Sequence, residues 1–329
     1  MADNFRQIPE PSYERDIATL VTAYKQAVAD IQRELDRLDL TDISRANAQA
    51  ALASIAKILS ALNEESAAWV DENIPLAARD GIARTLVSLG VVETIAEAEA
   101  FIKFNRVNAE MVKSAVADTQ SDLLAVTQNI DRKVRVAVRK ATADSMRANM
   151  AKGINGRRTI NRDTLAGMKK SLGDALNTGI IDAAGRRWKP EVYVDMVTRT
   201  KMMQTQIDAT TNESLARNAQ YAVISRHGAT DACRFHEGRI IKLSPDAPGP
   251  YPTYEELRSS GQIWHPNCRH VISPVRNPDR LPEDVRQRAD DQADIGNKAL
   301  ATGKRAPKPA DTSPLEPRDD LIKLKRYLN

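Results

Sequence analysis

Residues 108–150 contain neither glycine nor proline, and that uninterrupted stretch sets the first limit on the fold. Val112, Val116, Leu123, Val126, Ile130, Ala137 and Ala141 recur along it at helical spacing, an apolar stripe that predicts one continuous helix. At about 1.5 Å per residue such a helix spans roughly 60 Å. That is more than a compact domain needs, so it should bridge parts or lie along a larger assembly. Aromatic residues make up only 4% of the chain, which leaves Ala, Val, Ile and Leu to build the cores. Long, closely packed helices suit that supply better than broad sheets, and the expected fold class is mainly α.

The remaining elements are shorter. Residues 12–40 place Ile17, Val21, Tyr24, Val28, Ile31, Leu35 and Leu38 at alternating steps of four and three, the seam of a helix in a hairpin or bundle. A second helix is expected over 43–62, capped by Thr41 or Asp42, with Pro75 and Gly90 as punctuation after it. Thr94 and Glu97 resemble a capping box ahead of a helix over 96–104. Gly153, Gly156, Gly173, Gly179 and Gly185 cut the next stretch into short helices, one of them over 162–176. Residues 190–222 read as one more, with Tyr193, Met196, Val197 and Met203 on its apolar side. YAVIS (221–225), RIIKL (239–243) and HVISP (270–274) are β-branched, are bounded by turn residues and read as strands, with a Pro- and Gly-rich loop over 244–263. A mostly polar helix is expected over 281–300, a Pro-rich linker over 301–317 and a short helix over 321–328. The organisation expected is a long-helix scaffold over 1–150, then a module over 151–276, then a polar tail over 277–329. The module combines helices over 154–222 with a small α+β part over 221–276.

The net charge of +4 hides an uneven distribution. Residues 1–131 hold 12 Lys and Arg against 21 Asp and Glu, whereas residues 132–170 hold 12 against only Asp144 and Asp163. Arg132, Lys133, Arg135, Arg139, Lys140, Arg157 and Arg158 thus belong to a basic block able to contact phosphate or an acidic protein surface. The alternative is a solvated face that only neutralises the acidic half. No aromatic interrupts the block, so base stacking is not expected. The first residues, MADNFRQIPEPSYERD, show neither the basic nor the apolar region of a secretory signal. No run of about eighteen apolar residues predicts a spanning helix, and no membrane contact is expected.

All four histidines and both cysteines lie between His227 and His270. Cys233 and His236 form a C-x-x-H pair, and His265 and Cys268 an H-x-x-C pair. If RIIKL and HVISP pair, the loop between them folds back and the four side chains converge. They suit one structural Zn2+, with His270 as an alternate ligand or a support behind one. Two other readings stay open. The cysteines are small buried hydrophobes beside hydrogen-bonded histidines, or they form a disulfide or redox pair once outside the reducing compartment that so few cysteines suggest. His236, Glu237, Arg239 and His265, joined by Arg199 and Arg269, also compose the acid–base and phosphate-binding set of a small nuclease. Against that, charges flanking a turn glycine such as Gly238 are common for solubility alone. No phosphate-binding Gly-rich loop, nucleophile elbow or paired-carboxylate site is recognisable, and no catalytic residue is expected.

Longer strings carry more than spacing does. G-R-x-W at 185–188 precedes Tyr-x-x-Met-Val-x-Arg-Thr at 193–200. A strand then ends Ser-x-His at 225–227, followed by C-x-x-H-x-G at 233–238 and H-P-N-C-R-H at 265–270. Over about 180–276 the chain resembles the tailed-phage minor capsid, or head-morphogenesis, proteins, both the phage Mu protein F-like and the minor capsid protein 2-like kinds. The family's Cys/His positions fall on Cys233, His236, His265, Cys268 and His270, with Asn267 and Arg269 completing the second string. Many minor capsid protein 2 relatives place Gly-Ala-Arg-Pro before the first pair. Here Gly228, Ala229, Thr230 and Asp231 stand there, which points to the wider family more than to that branch.

The resemblance implies a virion protein made in the host cytoplasm and held inside the capsid near the portal vertex. Its partners would be the portal protein, capsid or scaffold proteins and packaged DNA, and its role head assembly or DNA delivery. The basic block would face DNA or the portal. The rival is an enzyme, a nuclease or toxin-like effector built on the Cys/His module. A third class is a metal-stabilised nucleic-acid-binding protein from outside the virion.

Overall fold

A computed structural model describes residues 5–6, 8–155, 162–177, 180–181 and 185–303. These are mainly helical, with a small sheet region in the C-terminal part, as composition and periodicity predict. The helices are α1 (Glu14–Asp36), α2 (Arg45–Ser88), α3 (Ile95–Glu99), α4 (Arg106–Asn155), α5 (Arg162–Asn177), α6 (Pro190–Ala216), α7 (Tyr254–Ser259) and α8 (Glu283–Thr302). The strands are β1 (Ile180–Ile181), β2 (Arg187–Trp188), β3 (Tyr221–Ile224), β4 (Ile240–Lys242) and β5 (Ile272–Val275). The linker expected over 301–317 lies almost wholly outside the described residues, and the helix expected over 321–328 lies wholly outside them. The chain divides into two compact units: Ser12–Ala78 with Asn105–Thr205, and Met1–Pro11 with Arg79–Phe104 and Gln206–Asn329.

The first unit is helical. The long stripe becomes α4, which buries Leu123, Val126, Ile130, Val134, Val138 and Ala141. It continues through Gly153, where the sequence predicts a break; one helical glycine costs only about 1 kcal/mol, too little to end so long a run. In α1 the buried residues are Ile17, Leu20, Tyr24, Ala27, Ile31 and Leu35, so the seam is turned slightly from the predicted one and leaves Val21 and Val28 half-buried. Tyr24 marks the centre of this core: its hydroxyl donates to Leu123 O at 3.4 Å and lies 3.3 Å from Ser66 Oγ. Trp69 Nε1 donates to Asp16 O at 2.8 Å, and Thr127 Oγ1 to Asn63 Oδ1 at 2.5 Å, so α1, α2 and α4 are also joined by polar bonds.

α2 is far longer than predicted and carries Pro75 inside it. An internal proline costs about 3 kcal/mol, but Val70, Ile74, Ala77 and Ala78 are fully buried around it, and burial of one Val or Ile alone is worth about 2 kcal/mol. Tertiary packing outweighs the local signal. The helix ends at Ser88, and Gly90 just beyond it takes φ +66°, which suits a residue without a side chain.

The second unit is built on a three-stranded antiparallel sheet in the order β4-β3-β5. RIIKL and HVISP therefore do not pair with each other. Both flank YAVIS, with Val223 opposite Ile240 on one side and Ser273 on the other. All four residues of β3 are buried, as a continuous apolar run requires of a central strand. The capping pair before α3 forms, with Thr94 Oγ1 accepting from Glu97 N at 3.1 Å, but the helix stops at Glu99.

Candidate metal centre

Two tight turns present the sulfur and imidazole groups. Asp231 Oδ1 accepts the Cys233 amide at 3.0 Å and starts a 3-10 turn, Ala232–Phe235, that buries Cys233. Gly238, at φ +79°, then reverses the chain into β4. On the other side Trp264 and Asn267 both sit at positive φ, and Cys268 N bonds back to His265 O at 2.9 Å. The backbone strain brackets His265 between two unusual conformations.

Cys233 Sγ lies 3.6 Å from Cys268 Sγ and 3.1 Å from His265 Nε2, and Cys268 Sγ lies 3.4 Å from His270 Nδ1. Tetrahedral zinc with bonds of about 2.3 Å to sulfur and about 2.0 Å to nitrogen would separate two sulfurs by about 3.8 Å, and sulfur from nitrogen by about 3.5 Å. The observed spacings are near those edges. Cys233, Cys268 and His270 form one group able to hold a metal ion, and Asp231, Cys233 and His265 form another. His265 Nε2 is 3.2 Å from Asp231 Oδ2.

His236 turns elsewhere. Its Nε2 meets Gln262 Oε1 at 2.8 Å, and its Nδ1 faces Arg239 Nη1 at 3.1 Å. Of the four residues the spacing singles out, three come together, and the fourth place beside the sulfurs is taken by His270. With β3 between β4 and β5, Cys268 and His270 reach Cys233 from the β5 side, whereas His236 serves the buried Arg239.

Behind His270 stands Glu237, whose Oε1 is 3.1 Å from His270 Nε2 and accepts the amides of His227 and Ala229 at 3.0 Å each. Burial opposes its charge, but the His270 bond and the two amides hold its pKa down to about 2. Burial likewise works against the His270 cation, yet Cys268 and Glu237 on its two nitrogens raise it. In the cysteine pair, the Cys233 hydrogen bond lowers Cys268 against burial, while the same bond and burial push Cys233 up. Burial pushes the His236 imidazole down to about 4 and the Arg239 guanidinium down to about 10.

Two distant segments close the centre. Glu10, from the start of the chain, accepts from Ser225 Oγ at 2.9 Å and meets His227 Nδ1 at 2.5 Å, and the His227 ring lies 4.1 Å from that of His270. α8 covers the other side: Gln292 donates to Arg234 O, Gln262 donates to Ala299 O, and Arg239 Nη2 donates to Asn297 Oδ1 at 2.6 Å. A Cβ at Gly296 would stand 2.3 Å from Arg239 Nη1 and 2.7 Å from Phe235 O, so α8 can dock this closely only with glycine there. Sequence reasoning missed Glu10, Gln262 and Asn297, because nothing local marks them. The one available signal was Gly296, a glycine inside an otherwise polar helix.

Of the residues that could compose a nuclease set, His236, Glu237 and Arg239 are buried, His265 is half-buried and Arg269 is exposed, while Arg199 in the helical unit pairs with Glu14 and Asp195. In the basic block, Arg135 Nε bonds Asp131 Oδ2 at 2.7 Å and Arg132 bonds Asn129, while Arg139 and Lys140 are exposed. Arg157 and Arg158 lie outside the described residues.

The sequence model of a protein family described as phage minor capsid protein 2 matches residues 19–301. No curated protein and no solved structure matches the chain.

Proposed function

Because the chain belongs to the phage minor capsid protein 2 family, the branch from which its Gly-Ala-Thr-Asp string points away, we propose that it is a portal-associated head-morphogenesis protein. The match over 19–301 carries this reading, since it takes in the long helices as well as the Cys/His module. A virion protein of this family works among other capsid components. The partner proposed first is the portal protein, approached from inside the head, with assistance to assembly or DNA delivery as the role. Catalysis has no part in it, and the buried His236–Glu237–Arg239 set supports that reading through its lack of access.

The Cys/His centre acts as a folding staple in this proposal. One zinc ion would be held by Cys233, Cys268 and His270, with His265 as the fourth ligand. Glu237 would orient His270, the carboxylate–histidine support that metal sites commonly use. A filled shell of four leaves the ion structural, tying the turn after β3 to the loop before β5.

Co-expression with the phage's portal protein tests the role: the tagged chain should retain portal through purification, and its failure to do so at low salt would refute portal association. Metal analysis tests the staple separately. The purified protein should carry about one zinc per chain, and Cys268→Ser should lose it. Metal-free wild-type protein, or a Cys268→Ser variant of unchanged stability, would reject the zinc reading.

A further inference from the structure

In the helical unit the basic block of α4 is extended by residues some fifty positions further along the chain. β1 runs against α4, and β2 pairs with β1 so that Trp188 stands opposite Ile180 and Arg187 opposite Ile181. Ile180 is 6% exposed and Ile181 52%, so the alternation along the hairpin sends Arg187 outward with Ile181. Arg187 lies close enough to Lys133 that, after burial, it is the strongest influence depressing that ammonium, with Arg132 next. Arg186 sits over the Trp188 ring, 5.4 Å from its centroid. Arg132, Arg139 and Lys140 on α4 are exposed, as are Arg186, Arg187 and Lys189 around β2. The acids nearest along α4, Asp131 and Asp144, are engaged by Arg135 and Arg147. Like charges gathered this way repel one another, and a polyanion laid across them would turn that cost into binding.

We infer that this surface, made by Arg132, Lys133, Arg139 and Lys140 on α4 with Arg186 and Arg187 on β2, binds the phosphate backbone of duplex DNA. The inference rests on the head-protein reading for the DNA it would meet, packaged in the same particle. Phosphate contacts position a protein without reading bases, so binding is independent of sequence and falls steeply with salt. The linear sequence offers no aromatic inside the basic block; the fold supplies Trp188 beside it, with Arg186 stacked on the ring.

The test uses the full-length protein and a fluorescein-labelled duplex of about 30 bp and mixed sequence, with anisotropy read between about 50 and 200 mM salt. The triple variant Arg132→Gln, Lys133→Gln, Arg187→Gln should bind at least about tenfold more weakly. It should also flatten the slope of log affinity on log salt by nearly one for each phosphate that is no longer neutralised. Lys57→Gln, an exposed cation in the acidic half, should match the wild type. Circular dichroism and the melting midpoint check folding; if the triple variant unfolds, Arg187→Gln alone should still flatten the slope by about one. Equal affinity and slope for wild type and folded variant would overturn the inference, as would a wild type that ignores the duplex at the lowest salt. So would a variant that keeps DNA binding but loses portal capture, which assigns the surface to an acidic protein. A wild type that binds DNA through these residues yet never retains portal defeats only the portal reading.

Discussion

His236 and His270 differ by what surrounds their second nitrogen. His236 has one nitrogen on Gln262 and the other facing Arg239, whereas His270 points Nδ1 at Cys268 and rests Nε2 on Glu237. The two residues therefore make opposite predictions for metal content. His270→Ala should lose most of the bound zinc, and His236→Ala should retain it while lowering stability by about 1–3 kcal/mol, because Gln262 and Arg239 lose a buried partner. Zinc assay and urea denaturation of both variants read the two effects, and retention of metal by His270→Ala would exclude it as a ligand. Tyr24 makes a second residue-scale case. Burial raises its pKa to about 12, so its neutral form contributes stability that is complete below the unfolded value of about 10 and is lost as pH rises through 12. Tyr24→Phe should flatten the alkaline fall in stability between those pH values by up to about 3 kcal/mol, followed as the change in denaturation midpoint.

At the scale of elements, glycines decide how closely helices approach. A Cβ on Gly81 of α2 would lie 2.3 Å from Gln206 O and 3.0 Å from Thr210 Oγ1 of α6, and Gly296 of α8 meets Arg239 and Phe235 at similar range. Alanine normally gains about 1 kcal/mol over glycine inside a helix. Here the overlap falls on a backbone oxygen at each site, Gln206 O and Phe235 O, and at Gly296 also on the buried Arg239 guanidinium, so Gly81→Ala and Gly296→Ala should each destabilise by about 1–3 kcal/mol. Chemical denaturation checks the sign, and stabilisation by either alanine would mean that these contacts are looser than described. Element type was largely legible in the chain: the stripe of α4, the seam of α1 and the β-branched runs all depend on spacing within a few residues. Element length was not. Pro75 and Gly153 read as stops, yet α2 and α4 pass through them, and at Pro75 the packing of Val70, Ile74 and Ala77 outweighs the local cost.

For the whole molecule, the Cys/His unit draws on three parts of the chain. Residues 5–11 bring Glu10, residues 79–104 bring the end of α2, and residues after 206 bring the sheet and α8. A metal bound at its centre would stabilise all of them together, by about 4 kcal/mol when free zinc stands a thousandfold above its dissociation constant. A strong chelator should therefore lower the melting transition of the wild type and expose both the segment around Glu10 and α8 to hydrogen exchange. Cys268→Ser should already show that exposure and respond no further to chelator. Unchanged exchange at Glu10 would mean that the arm docks independently of metal.

The sequence alone determined the helical class and the chemical region, since both rest on composition and short-range spacing that backbone geometry converts directly into a face or a turn. Its longer strings also placed the chain among phage minor capsid proteins. The order β4-β3-β5 was decided only by the tertiary structure, and with it which histidine meets the two sulfurs and which serves Arg239. The same holds for Glu10, α8 and the packing of β1 against α4. Such contacts join residues tens to hundreds of positions apart, and they are selected by which packing buries the apolar faces of the whole chain.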